Sequence, residues 1–154
     1  MNDWAERAAT EADNRDRLRE LNLEKNSRES HLKTVFGGKL FGELYNWISA
    51  QTKKFNEIRG KEELKVSKTV VPGVSGQSND RLSVHLHNLQ PLVIDYCSTS
   101  HILSYACGMN SRKEFKLQLS DSNESAAFTN PYNQPITIDE LGSQMLDALL
   151  NSPF

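Results

Sequence analysis

The chain has 154 residues, 37% of them hydrophobic, and a mean hydropathy of −0.60, a balance that suits one ordinary domain with an arm rather than a chain buried along its whole length. Its 18 basic and 20 acidic residues leave a net charge of −2, which gives no global pull on nucleic acid phosphates. No run of about eighteen apolar residues exists and no apolar stretch follows the charged start MNDWAERAATEADNRDR, so neither a membrane span nor a cleaved secretory signal is expected.

The expected setting is therefore cytoplasmic, with Cys97 and Cys107 as free thiols, since two cysteines at this spacing make no disulfide framework. Residues 1–36 read as a polar helical arm. Ala5, Ala8, Ala9 and Ala12 and many Glu and Arg residues favour helix, and Glu11 with Arg15 and Asp13 with Arg17 stand at the i, i+4 spacing of helical ion pairs. The apolar stripe of this arm is thin: Trp4, Ala8, Ala12, Leu18 and Leu21. It is too short and broken for a coiled-coil assignment, and too exposed in composition to form a core by itself. Gly37-Gly38 then favours a break, because each glycine costs a helix roughly 1 kcal/mol relative to alanine, while Leu32 and Phe36 stay in phase with Leu40 and Leu44, so a single long helix with a kink or a close packing contact at the glycines is the competing reading.

Residues 37–154 read as an α+β domain. Its first element, a helix over residues 39–59, carries Leu40, Leu44, Ile48, Thr52 and Phe55 at three- and four-residue spacing, widened by Phe41, Tyr45 and Trp47. Gly60 is its expected stop. From residue 62 to 129 the apolar period falls to two, which predicts an antiparallel meander of four or five strands. Leu64–Val71, Arg81–His87, Leu92–Cys97, His101–Cys107 and Lys113–Leu119 carry the clearest strand patterns, with a short segment at Ala126–Thr129. Pro72–Asp80 is an expected loop by composition. The chain closes with a helix over residues 138–150, announced by Thr137 as N-cap and Glu140 three residues on. This helix and the one at 39–59 are expected to cover one sheet face, on the parity of Leu82, Val84, Leu86, Phe115, Leu117 and Leu119, and to leave the other open to water.

Motifs for chemistry are sparse. His85-x-His87 on a strand places two imidazoles on one face roughly 7 Å apart. With a third ligand from His101, Asp95 or Cys97 they would form a metal site. The bland reading is a pair of polar residues on a solvent face. Cys97 with His101, oriented by Asp95, has the residue types of a thiol nucleophile and base, but no nucleophile signature surrounds it. Lys53, Lys54, Arg59, Lys61, Lys65 and Lys68 cluster, but Glu57, Glu62 and Glu63 interleave with them, so nucleic acid is not the expected partner. No cofactor motif is present. The leading expectation is a non-enzymatic protein-interaction or adaptor module that self-associates, with Trp4, Leu18, Leu21 and Trp47 as partner-binding residues. A small-ligand or metal-binding protein around His85 and His87 is the alternative, and a thiol enzyme the third reading.

Overall fold

The structure, a computed structural model, describes residues 3–72, 78–87, 89–108 and 111–151. By backbone contacts the chain divides into two compact units, residues 1–32 and residues 33–154. Helix α1 (Trp4–Arg59) contributes to both. Seven strands follow: β1 (Leu64–Pro72), β2 (Ser78–Leu86), β3 (Leu92–Cys97), β4 (Ile102–Cys107), β5 (Lys113–Leu119), β6 (Ala126–Thr129) and β7 (Pro135–Ile136). They form one antiparallel sheet in sequence order, and α2 (Ile138–Leu150) follows β7. No helix among the described residues is long and apolar enough to cross a membrane.

The meander and the two flanking helices agree with the sequence pattern, but the sheet has seven strands rather than four or five. The short segment at Ala126–Thr129 is β6, and the strand the pattern did not announce is two-residue β7, held by the pairs Phe128↔Ile136 and Thr129↔Pro135. Of the expected loop at Pro72–Asp80, residues 73–77 lie outside the described residues, and the residues on either side of them are strand. β1 runs through Pro72 and β2 begins at Ser78, with Pro72↔Ser78 as the last pair of their register. Polar Asn79 and Asp80 are held in the strand by that register and by pairing to Cys97 and Tyr96 of β3.

The expected break at Gly37-Gly38 does not occur: α1 is helical through both residues. The reason is tertiary. A Cβ on Gly37 would lie 1.8 Å from Tyr96 Oη and 3.1 Å from Leu117 Cδ2, so the glycine lets the helix backbone approach the sheet. Gly38 has open space around it. The buried line of the helix is accordingly Gly37, Phe41, Leu44, Ile48 and Thr52, and Leu40, Tyr45, Trp47 and Phe55 flank it. Thr52 tolerates its buried position because its hydroxyl donates to the Ile48 carbonyl at 2.8 Å.

Gly60 ends α1 as expected, at φ 72°, with the hydrogen bonds of a Schellman motif: Gly60 N–H to Glu57 O at 3.2 Å and Lys61 N–H to Asn56 O at 3.2 Å. α2 starts as expected too, with Thr137 Oγ1 accepting from Glu140 N–H at 3.2 Å. The core lies on the inward parity of the sheet. Leu82, Val84, Leu92, Ile94 and Leu103 are fully buried there, with Leu141 and Met145 of α2 and Leu44 and Ile48 of α1. Aromatic contacts order it: Phe41 stacks on Tyr96 with centroids 5.5 Å apart, and Tyr96 meets Phe128 edge-on at 6.1 Å. Burial pushes the Tyr96 phenol up to about 12, so it stays neutral.

Candidate functional site

The register of the sheet separates the three histidines. His85 lies on the outward parity of β2, exposed, opposite Lys65. His87 follows the end of β2 at φ 48°, and its Nε2 hydrogen-bonds Glu63 Oε2 at 2.7 Å. The alternation that would put His85 and His87 on one face therefore stops at Leu86. His101 sits in the β3–β4 turn, at the other end of the sheet: Cys97 pairs with Asn79, six residues from His85 along β2, a span of about 20 Å at strand rise. Among the described residues no group of three or more His, Cys, Asp or Glu side chains is placed to hold a metal ion.

Glu63 is instead the centre of a polar node that joins the end of α1 to the edge of the sheet. Its nearly buried carboxylate receives His87, Arg59 Nε at 3.1 Å and Lys61 Nζ at 3.3 Å. The His87 hydrogen bond, opposed by burial and reinforced by Lys61 and Arg59, holds the Glu63 carboxyl down at about 2. Asn56 adds backbone bonds beside it, accepting from Glu63 N–H and Leu64 N–H at 3.0 Å each and donating to Leu64 O at 2.9 Å. The expected basic cluster is thus divided. Arg59 and Lys61 serve Glu63, and Lys68 lies over the rings of Phe41 and Tyr45 at 5.8 and 5.5 Å.

On the outward sheet face, Asp95 is buried between two arginines. Arg81 binds it in a fork, Nε–Oδ1 2.7 Å and Nη2–Oδ2 3.0 Å. Arg112 reaches the same carboxylate at 3.4 Å and Ser104 Oγ at 3.2 Å. Asp95 is thereby an anchor of that face and not an orienting group for His101. Cys97 pairs with Ile102 across the hairpin, as a tight turn at Thr99-Ser100 requires, and Cys107 pairs with Leu92 five rungs away. The Cys97 thiol is drawn below its ordinary range, chiefly by the hydrogen bond of Ser100 and not by an imidazolium. Burial, with Lys33 nearby, holds the His101 imidazole below its usual value, which keeps it neutral near pH 7. Backbone bonds account for the geometry of the turn: His101 N–H donates to Cys97 O at 2.8 Å, and His101 O accepts from Leu117 N–H at 3.0 Å.

Trp47 and the residues of the N-terminal stripe part company. Trp47 is half-buried and packs on α2, where a Cβ at Gly142 would lie 2.4 Å from its ring. Trp4, Leu18 and Leu21 are exposed, at 72%, 62% and 54%, as is Leu23. Every residue from Ala9 to Arg28 is exposed. The i, i+4 ion pairs expected at Glu11–Arg15 and Asp13–Arg17 are not closed among the described residues, and none of Glu11, Arg17, Glu24 and Arg28 carries an ion pair there.

Within residues 33–154 sequence reasoning missed an apolar cavity of about 240 Å³ between α1, α2 and the ends of β1 and β2. Phe55, Leu64, Leu86, Leu146 and Leu149 wall it, and exposed Ile58 and Leu150 stand at its lip. Ile58 lies on the stripe of α1, two heptads after Leu44, yet is 77% exposed. Comparison with protein-family models, with curated proteins and with solved structures finds no match.

Proposed function

We propose that this chain is a non-enzymatic interaction module that self-associates through residues 4–32 of α1. The observation that supports it most is a helix carrying Leu18 and Leu21 more than half exposed, inside a stretch with no buried residue from Ala9 to Arg28. Single exposed leucines need no explanation, but two of them one turn apart on one face, with Trp4 aligned above, form a stripe that a second helix would cover. The dispersal of His85, His87 and His101 and the anchoring of Asp95 by arginines leave catalysis and metal binding with less support than association.

Sedimentation equilibrium tests this reading. The chain is expected to associate in the micromolar range, and Leu18→Asp with Leu21→Asp to be monomeric with unchanged far-UV circular dichroism. A wild-type chain that stays monomeric at several hundred micromolar would remove the proposal.

A second reading, a small-ligand protein, draws on the cavity between α1 and α2. At about 240 Å³ it is below the usual range for drug-sized ligands and suits a short aliphatic chain. Binding of decanoate, abolished by Leu146→Trp with the fold retained, would favour it over association.

A further inference from the structure

We infer that the second copy lies antiparallel along the 7–32 segment, with the two-fold axis between Leu18 and Leu21. This inference rests on the self-association just proposed and fixes the geometry of the partner.

The charges of the stripe decide the orientation. Extending its seven-residue spacing from Leu18 gives Trp4, Glu11, Lys25 and Leu32, and from Leu21 gives Arg7, Asn14 and Arg28. In a parallel, in-register pair each residue meets itself. Arg7 would face Arg7, Glu11 would face Glu11, Lys25 would face Lys25 and Arg28 would face Arg28, and at the flank Glu24 would stand beside Glu29. Four of the eight layers from Arg7 to Leu32 would then hold like charges, with only the leucines among them to offset these.

Reversing the second helix about the Leu18–Leu21 midpoint changes every one of these contacts. Leu18 meets Leu21, Glu11 meets Arg28, and Asn14 meets Lys25. Arg7 lies along Leu32, where its aliphatic stem covers the leucine and its guanidinium reaches water. At the flank Arg17 comes beside Glu24. Each of these contacts occurs twice, because the two-fold axis repeats it. The residues concerned are available: Glu11, Arg17, Glu24 and Arg28 are exposed and carry no ion pair among the described residues. The thin stripe and the unclosed helical ion pairs have one common account here. The arm carries too little apolar surface for an isolated core, and its charges are arranged for another chain.

An antiparallel dimer makes the two chains leave the paired segment at its opposite ends.

Two measurements test this. With a spin label on exposed His31→Cys in a Cys97→Ser background, an antiparallel pair gives a label separation near 35 Å and a parallel pair one near 10 Å, from helical rise and interhelical distance. Charge reversal tests the register. Glu11→Arg alone and Arg28→Glu alone should each weaken association about tenfold, and the double variant should restore it, since two symmetric pairs are broken and then remade. Glu11, Arg28 and His31 are all exposed, so circular dichroism should show the fold intact in these variants. A short label distance with association retained would overturn the orientation and leave self-association standing. A long distance without rescue would overturn the Glu11–Arg28 register. A monomer in both measurements would overturn the function proposed above and this inference with it.

Discussion

Leu18 and Leu44 occupy the same helix, yet one is 62% exposed and the other fully buried. The contrast separates two ways of making a helix. From Trp4 to Leu32 the chain has the alanines and the Glu and Arg residues that favour helix locally, and nothing from Ala9 to Arg28 is buried to reinforce them. From Gly37 to Arg59 the chain accepts three glycines and three β-branched residues, because Phe41, Leu44 and Ile48 are buried against the sheet. Propensity sustains the first part and tertiary burial the second.

The largest test of that contrast is a matched pair of truncations. Leu44→Ala should cost about 2–5 kcal/mol in chemical denaturation, because it removes a fully buried side chain from the core. Leu18→Ala should stay within about 0.5 kcal/mol at concentrations too low for association. Comparable losses at both sites would show that the exposed leucine is covered within its own chain.

The glycines sharpen the same comparison at smaller scale. Gly37→Ala should destabilise by about 1–3 kcal/mol, since its methyl would lie 1.8 Å from Tyr96 Oη in a core where the tyrosine is 2% exposed. Gly38→Ala, with open space around its position, should stabilise by about 0.5–1 kcal/mol through helix propensity alone. Opposite signs at adjacent residues would be measured as opposite shifts of the denaturation midpoint. Equal signs would mean that Tyr96 does not set the approach of α1 to the sheet.

Much of this fold was legible in the sequence where its signals are local. Thr137 and Glu140 announced α2 within a single turn, Gly60 marked the end of α1, and the alternation of Leu82, Val84 and Leu86 marked the inward face of β2. What was illegible depended on partners far along the chain. At Gly37 the sequence leaves a break and a close packing contact both open, and only Tyr96, 59 residues later, decides for the contact. Asn79 and Asp80 look like loop until β1 and β3 bracket them. The histidine pair failed for the same reason in reverse. Alternation predicts one face for His85 and His87, but Glu63 takes His87 beyond the strand's end, and nothing near His87 in sequence names Glu63. The exposed stripe at Trp4, Leu18 and Leu21 was readable because an unburied helix has no tertiary partner to contradict its pattern.

Glu63 gives the last and finest comparison, since it marks where the buried part of α1 is fastened to the sheet. Its carboxyl stands at about 2 in the folded chain against 4.5 for an ordinary glutamate, with the His87 hydrogen bond the largest cause. A depressed folded value means that the folded state binds this proton less readily than the unfolded one. The stabilisation is therefore complete above pH 4.5, declines as the pH falls from there towards 2, and is gone below 2. Other carboxylates also titrate in this window, so the difference between the wild type and Glu63→Gln isolates the node. That difference should shrink as the pH falls from 4.5 towards 2 and vanish near the lower end of that window. The 222 nm ellipticity of a fragment-free, full-length chain, followed in urea at each pH, reports it. A difference that does not change with pH would mean that Glu63 acts only by filling space, and that the joint between α1 and β1 is held by Asn56 rather than by charge.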